Sequence, residues 1–446
     1  MADPGGQPAP GFGSAAHPES GPFPAAGDGV DRAISAAARL TTGPATAPLA
    51  TSGRRVERGW PTWRPSTLTL VALAIAIGTR VILWLVTWVS LRALPRLGYY
   101  PAQLPDAFLA GFPALDGWAR WDTAHYVAVA RLGYGDPTSP SPHGGVGFFP
   151  LYPMLMRGLV EVAGVAATPA ALAVAGIVIT NVAFLFAIPL VARLAADHVG
   201  EDAARQVVAL LCLAPFGFFF NAAYSESLFL ALAAGALLAA RRNRPWVAAG
   251  LAGLASGSRL FGLALAPALL LGAWRRGASR RDLLATAALA PLGAVVTTVY
   301  FWVETGTPFA YFRAQATWGG WDDHLRAYVT LFTRHPGEAL GGDPRHLVIV
   351  LNVLLGVVAV ITLPAVWRRL DPATALFTTL IVVVHAGFTW VSLGRYLLPA
   401  IGVWVVLGEV LTRPRWHGWP RDLAFATSAI LLTLLTVLFS HGFWVV

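Results

Sequence analysis

Long apolar runs separated by short arginine-rich segments recur along most of the chain, and this pattern restricts the fold to a membrane architecture. The 446 residues are 56% hydrophobic and only 12% charged, and the mean hydropathy is +0.60. Soluble domains carry about 25% charged residues. Because a helix satisfies its own backbone hydrogen bonds in lipid, the sequence predicts an all-α polytopic membrane protein.

The positive charge of the chain has a membrane explanation. The formal net charge is +9, and the basic residues are all arginine. These arginines fall between the apolar runs, where they orient helices, so they do not indicate a nucleic-acid partner. The single cysteine, Cys212, excludes an intrachain disulfide and a cysteine-based metal site. Without a lysine-containing phosphate loop or a His-x-x-x-His pattern, we expect neither a cofactor nor a metal.

The composition divides the chain into a tail and a membrane domain. Residues 1–63 are rich in glycine, proline and alanine and are predicted to form a disordered cytoplasmic tail. Residues 64–446 hold the apolar runs. A basic cluster of Arg54, Arg55 and Arg58 before the first run places the N-terminus in the cytoplasm.

The apolar run at 246–274 has arginine clusters on both sides. Because cytoplasmic loops carry the excess arginine, both ends of this run are predicted to lie inside. The run is therefore expected to be a hairpin of two short helices, with Gly257, Ser258 and Arg259 at the turn. About eleven membrane segments result, with the C-terminus outside the cell membrane. Residues 92–168 and 304–345 then form two long outer loops.

The first outer loop contains R-W-D-T-A-H-Y, residues 120–126, followed by G-F-F-P-L-Y-P at 147–153. On a helix Asp122, His125 and Tyr126 share one face. Amphipathic helices are predicted at 116–132 and from 149 to 164, the second with an Arg157–Glu161 pair. Asp122 is either a reactive carboxylate at the membrane surface or a first-turn carboxylate that stabilises the helix; spacing favours neither.

Two further motifs lie where the chain enters the membrane. In N-A-A-Y-S-E-S-L-F, residues 221–229, Tyr224 and Glu226 are candidate site residues; the alternative is a capping turn made by Ser225 or Ser227. Arg259 at the hairpin turn is a second candidate.

Arg395 in G-R-Y-L-L-P is a boundary arginine suited to binding phosphate, unless it merely snorkels to the headgroups. Arg80, within the first apolar run, is a weaker case of the same kind. The aromatic loop at 309–324, with Arg313, Asp322 and Asp323, suits sugar recognition. Its Trp318 and Trp321 equally fit an interfacial aromatic belt.

These motifs together resemble the PIG-V family, the GPI mannosyltransferase 2-like group of the GT-C superfamily. The matching elements are R-W-D-x-x-H-Y, F-F-P-x-x-P, Y-S-E-S-L-F, S-x-x-R-x-x-G and G-R-Y-L-L-P, in this order from residue 64 to the C-terminus. One departure is Arg259-Leu260-Phe261-Gly262, where relatives have Arg-Ser-Asn-Gly; polar contacts at its two middle positions are not expected to carry over.

The resemblance implies a GT-C-like fold and an inverting mannosyltransferase that uses a polyprenyl-phosphate-mannose donor. The acceptor would be a lipid-linked molecule or a protein at the outer membrane face. The lysine-free composition is typical of a high-GC bacterial genome, so the GPI acceptor of eukaryotic members is not carried over. Asp122 matches the essential carboxylate that GT-C enzymes place in their first outer loop.

The same resemblance suggests a role for each candidate residue. Asp122 would be the general base, with Asp116, Glu226 or Asp322 as substitutes if it is not. Arg259 and Arg395 would neutralise the phosphate leaving group, while His125, Tyr126 and Glu226 would orient hydroxyls. The remaining predicted substrate-binding residues are Arg120, Tyr224 and Arg313.

A lipid or sugar transporter or flippase is the main alternative function, because it too would have many helices and boundary arginines. Transporters generally bind at the midplane and have repeated halves, whereas here the polar residues are predicted to lie on one face and no clear repeat is visible. A non-catalytic scaffold would leave the Asp122, His125 and Tyr126 face unexplained.

Overall fold

A computed structural model describes residues 66–95, 107–136, 145–316, 344–388 and 392–445, together with 329–330, 333–334 and 337. Within these ranges the regular structure is entirely helical, with no strand, which confirms the all-α class. The predicted tail at 1–63 lies outside the described residues. So do Trp318, Trp321, Asp322 and Asp323 of the second outer loop.

Within the described ranges the helices are numbered in chain order. The first nine are α1 Thr67–Ala93, α2 Pro113–Asp116, α3 Asp122–Leu132, α4 Leu151–Val162, α5 Pro169–Val199, α6 Glu201–Cys212, α7 Glu226–Arg241, α8 Pro245–Ser258 and α9 Leu265–Arg275. The others are α10 Arg280–Leu289, α11 Leu292–Thr305, α12 Ala310–Ala316, α13 Pro344–Arg369, α14 Pro372–Phe388, α15 Leu393–Tyr396, α16 Ile401–Val410 and α17 Trp419–Ser440.

Within the described residues, five stretches of helix are long and apolar enough to cross a membrane, so the chain is a multi-pass membrane protein. They are α1, α5, the combined α10–α11 stretch, α13 and α17. The eleven predicted segments are not confirmed. Helices α7 and α8 have 16 and 14 residues. At about 1.5 Å per residue, helices of this length do not by themselves cover the roughly 30 Å hydrocarbon core.

The apolar run at 246–274 is interrupted where the sequence predicts a turn. Helix α8 ends at Ser258, Arg259 has an extended backbone, and a short 3-10 helix, Leu260–Ala264, leads into α9. Gly262 lies so close to the backbone of Ala255 and Ser256 that a Cβ would not fit. The predicted break is confirmed, while the placement of both ends in the cytoplasm stays a prediction.

In the segment 92–168, which is predicted to be the first outer loop, one helix starts later than predicted. A single helix over 116–132 is wrong, because α2 ends at Asp116 and α3 begins only at Asp122. Between them Trp121 has a φ of 52°, which interrupts a helix. Helix α4 agrees with the prediction, and its exposed Arg157–Glu161 pair is present at 2.5 Å.

The core is centred on α5, which packs against α1, α4, α6 and α7. An aromatic segment between α6 and α7 lies inside this core: Phe216, Phe218, Phe219 and Phe220 are all buried. The residues that follow, Asn221 to Glu226, are buried as well. Packing of the phenylalanines therefore holds the Y-S-E motif inside the protein, next to α3 of the first outer loop.

Candidate active site

Arg395 lies at the centre of a buried cluster of charges. Its side chain is 4% exposed, with Nη1 2.8 Å from Oδ2 of Asp122 and Nε 2.6 Å from Oε1 of Glu226. The guanidinium also lies 5.0 Å from the ring centre of Tyr224 and 5.1 Å from that of Tyr396. Snorkelling is therefore the wrong interpretation of Arg395, since this arginine points into the protein.

Glu226 joins a second arginine to the cluster. It is the first residue of α7, its side chain is 2% exposed, and its Oε1 lies 2.6 Å from Nη1 of Arg259. Charges thus alternate along a chain of side chains, Asp122–Arg395–Glu226–Arg259, which we call the charge chain. The opposite charges compensate one another, as buried ions must. The charge chain joins four segments that are distant in the sequence.

Close packing positions Arg395. The preceding amide, that of Gly394, donates a 2.7 Å hydrogen bond to Oδ1 of Asn352 on α13. A Cβ at Gly394 would collide with the ring of Phe216. Position 394 therefore requires glycine, because only glycine lets the backbone come this close to the Phe216 ring and place the Arg395 side chain in the cluster.

Ser225 connects the charge chain to α3. Its hydroxyl bonds the phenol of Tyr126 at 2.9 Å and accepts from Nη1 of Arg259 at 3.2 Å. Ser225 makes no side-chain cap of α7, and Ser227 donates to the Phe220 carbonyl at 3.4 Å, so the capping-turn interpretation of the serines is wrong. Burial raises the pKa of Tyr126, so its phenol stays neutral.

The hydroxyl of Tyr224 holds the backbone that presents Asp122. It donates to the carbonyl of Arg120 and accepts from the amide of Asp122, both at 3.1 Å. These two groups flank Trp121, whose positive φ is uncommon for a residue other than glycine. Tyr224 thus stabilises the turn from which the Asp122 side chain reaches Arg395.

Arg120 lies in a separate buried ion pair. Its Nη2 is 2.7 Å from Oδ2 of Asp116, and the two side chains are 2% and 0% exposed. Asp116 also accepts from the amides of Phe108 and Leu109, which explains why it ends α2 instead of starting a longer helix. Arg120 further donates to the Ser440 carbonyl at 3.3 Å. This placement suits a structural role for Arg120.

Three other candidate residues lie outside the charge chain. The ring of His125 stacks on Phe148 at 4.8 Å, and burial lowers the pKa of this imidazole below its usual range. Arg313 has an exposed side chain on α12. Arg80 is buried and donates to the carbonyls of Cys212 and Gly217 at 3.1 and 3.3 Å.

Several polar atoms of the charge chain are available to a ligand. Asp122 is 14% exposed, and its Oδ1 has no hydrogen bond within the described part of the chain. Arg259 makes its hydrogen bonds through Nη1. A cavity of about 10 Å³, which has room for roughly one water-sized group, adjoins Arg259, and among its other lining residues are Glu226, Arg395, His385, Phe261 and Tyr396.

Sequence reasoning missed His385. The signal that could have found it is an ionisable residue in the last turn of the apolar helix α14, because such residues in membrane segments generally have a function.

Comparison with known proteins connects this site to a family. Residues 109–314 match the model of the mannosyltransferase (PIG-V) family. The predicted resemblance to the PIG-V family is confirmed. The PIG-V segment contains Asp122, Tyr224, Glu226 and Arg259, but it ends before Arg395.

A similar curated protein is the GPI alpha-1,6-mannosyltransferase 2 of Cricetulus griseus, which is 30% identical to this chain over 213 residues. The match covers 45% of this chain and 40% of that protein. The PIG-V similarity therefore covers less than half of either chain.

Two solved structures have a distant likeness to this chain. The Archaeoglobus fulgidus oligosaccharyltransferase, in complex with zinc and sulfate, gives a TM-score of 0.45 at 16% identity, covering 85% of this chain and 53% of that one. ArnT from Cupriavidus metallidurans, bound to undecaprenyl phosphate, gives a TM-score of 0.44 at 15% identity, covering 83% and 76%.

Proposed function

We propose that this protein is a membrane mannosyltransferase. It would move mannose from a polyprenyl-phosphate-mannose donor to a lipid-linked or protein acceptor at the outer membrane face, with inversion. The observation that carries the proposal is the charge chain, in which a partly open carboxylate and two arginines meet. Three of its four residues, Asp122, Glu226 and Arg259, lie in the segment that matches the PIG-V family. A carboxylate beside arginines is the combination that glycosyl transfer from a phosphate carrier needs.

Asp122 acts as the general base in this mechanism. Its Oδ2 is held by Arg395, which leaves Oδ1 to take the proton of an acceptor hydroxyl. The hydroxyl oxygen then bonds to the anomeric carbon while the bond from that carbon to the phosphate oxygen breaks. The proton ends on Asp122, and polyprenyl phosphate leaves. One displacement inverts the anomeric centre, so a β-linked donor gives an α-mannoside.

Arg259 and Arg395 stabilise the charge that develops on the leaving phosphate. Guanidinium groups bind phosphate oxygens through two parallel hydrogen bonds, and they are effective where water is excluded. Glu226 contacts both guanidinium groups at 2.6 Å and fixes their separation before the donor arrives. Such a preorganised site needs little rearrangement when the reaction occurs.

The proposed topology places this chemistry outside the cytoplasm. The N-terminus would be cytoplasmic, and the first outer loop would bring Asp122 to the outer face of the cell membrane. A donor attached to a membrane lipid needs no soluble nucleotide site. Tyr126 and His125 of the same loop would orient hydroxyls of the donor or the acceptor.

Transfer of label tests the proposal against the transporter alternative. Purified protein in liposomes receives polyprenyl-phosphate-mannose labelled in the sugar, together with a membrane-lipid extract as acceptor. We expect label to move from the carrier into a product that resists the mild acid that hydrolyses the donor. Movement of intact labelled donor between leaflets, with no product, would instead identify a flippase and reject the proposal.

A further inference from the structure

His385 has a fixed tautomer. Its Nδ1 lies 2.7 Å from the carbonyl oxygen of Ile381, one turn earlier in α14. A carbonyl oxygen only accepts, so Nδ1 carries the proton. A second proton would add a cation to a cavity that already contains Arg259 and Arg395. The opposite nitrogen, Nε2, is therefore a hydrogen-bond acceptor that points away from the helix backbone.

The imidazole of His385 is held between two rings. It stacks on Tyr396 at 4.7 Å with an interplanar angle of 27°, and its ring centre lies 3.9 Å from that of Phe261. His385 is 1% exposed. Its Nε2 is buried and makes no hydrogen bond with any described residue. Stacking prevents the ring from turning towards another partner.

Glu226 contributes a second unsatisfied acceptor to the same cavity. Its Oε1 accepts a hydrogen bond from Arg259 and forms an ion pair with Arg395, whereas Oε2 is buried without a hydrogen-bond partner among the described residues. Both Glu226 and His385 line the cavity. Buried acceptors without donors destabilise a protein, and most such groups in native structures have a partner. Two in one cavity indicate that a ligand supplies the donors.

The chemistry of these acceptors selects the ligand. A phosphate group is charged and offers acceptors, which suits the arginines but not Nε2 of His385 or Oε2 of Glu226. Hydroxyl groups donate. We propose that a hydroxyl of the transferred sugar enters this cavity and that His385 determines which sugar the donor carries. The inference rests on the proposed function, and ordered water is the competing source of the same donors.

The test uses a series of donors with wild-type protein. The series comprises polyprenyl-phosphate-mannose, analogues that each lack one sugar hydroxyl, and polyprenyl phosphate alone. Donor binding and transfer are measured separately. We expect removal of one or two particular hydroxyls to weaken donor binding about 10-fold or more, because the acceptors are then left unpaired. Equal binding of every deoxy analogue would overturn the inference without any variant.

His385→Phe keeps the stacked ring and removes the acceptor. In this variant the normal donor should bind as weakly as the critical deoxy analogue does to wild type. The normal donor and the critical deoxy analogue should then bind this variant with nearly the same affinity, because the interaction between His385 and that hydroxyl is gone. Affinity for polyprenyl phosphate alone should not change. His417→Phe, at an exposed position outside the cavity, is the matched control and should keep wild-type selectivity.

Three results separate the possibilities. Undiminished hydroxyl selectivity in His385→Phe, with only a lower unfolding temperature, would show that the cavity holds water and would overturn the inference. The inference would also be overturned if His385→Phe lost as much affinity for polyprenyl phosphate alone as for polyprenyl-phosphate-mannose. Hydroxyl-selective binding by a wild-type protein that transfers no mannose would refute the proposed function while supporting the sugar site.

Discussion

The guanidinium of Arg395 lies 2.8 Å from the carboxylate of Asp122, although 273 positions separate the two residues. Asp122 belongs to the R-W-D-T-A-H-Y motif and Arg395 to the G-R-Y-L-L-P motif near the C-terminus. Their contact means that the first and last motifs of the membrane domain form a single site. It also orients the Asp122 carboxylate, because one oxygen is held while the other remains open.

Arg395→Lys should lower kcat by about 100-fold, in the range found on removing one charge-stabilising donor from an active site. Lysine keeps the positive charge, but its single ammonium group cannot reproduce the contacts that the guanidinium makes with both Asp122 and Glu226. The measurement is the steady-state rate of mannose transfer. Arg157→Lys, at an exposed ion pair, is the control. A kcat near that of wild type in Arg395→Lys would show that the double contact is unimportant.

Tyr224→Phe should reduce both stability and activity. The change leaves the Asp122 amide and the Arg120 carbonyl without their shared partner, which costs about 1–3 kcal/mol. A shift of Asp122 should also slow transfer by about 10-fold or more. Tyr134→Phe removes a comparable 2.6 Å hydrogen bond, to the Phe148 carbonyl. It should lower the unfolding temperature without changing kcat; equal kcat losses in both variants would contradict this account.

Asp116→Asn should destabilise the protein by about 3–5 kcal/mol, because Arg120 would become a buried charge without its counterion. Thermal unfolding in detergent measures the effect. Asp202→Asn, whose side chain is 90% exposed, should be within about 0.5 kcal/mol of wild type. If Asp116→Asn folded normally but bound the donor weakly, Arg120 would be a substrate-binding residue, as its motif suggests.

His125 should make stability depend on pH. Burial lowers its pKa in the folded protein, whereas an unfolded histidine titrates near about 6.5. The unfolded chain therefore binds a proton more readily, so this contribution to stability falls as the pH decreases below about 6.5. This pH dependence is tested by measuring the unfolding temperatures of wild type and His125→Gln between about pH 8 and pH 5, the range in which histidine titrates. A decrease of equal size in both proteins would show that His125 is not the group responsible.

Local sequence patterns predicted the parts of the fold that depend on local chemistry. Apolar runs gave helices, and the arginine clusters around 246–274 led to the break at Arg259. Spacing of four residues predicted the Arg157–Glu161 pair. Each of these follows from residues that are neighbours in the chain.

Contacts between distant segments could not be predicted from the sequence. Residue spacing cannot show that Arg395 pairs with Asp122. Nor can it show that Asp116 accepts a hydrogen bond from the amide of Phe108, which precedes α2. Nor does tryptophan indicate a left-handed backbone, so the turn at Trp121 and the later start of α3 were missed. His385 has no polar neighbours in α14, and only its position beside Arg259 and Arg395 makes it notable. The chemical roles of the site residues remain predictions.

The most direct test of the central claim compares Asp122→Asn with wild type. Asparagine is close in size to aspartate but cannot accept the proton of the acceptor hydroxyl. Purified proteins receive labelled polyprenyl-phosphate-mannose and a membrane-lipid extract, with Asp202→Asn as the control for an exposed carboxylate on α6. We predict label transfer by wild type and Asp202→Asn and none by Asp122→Asn, with donor binding retained in all three. Transfer by Asp122→Asn at a rate near that of wild type would contradict the assignment of Asp122 as the base.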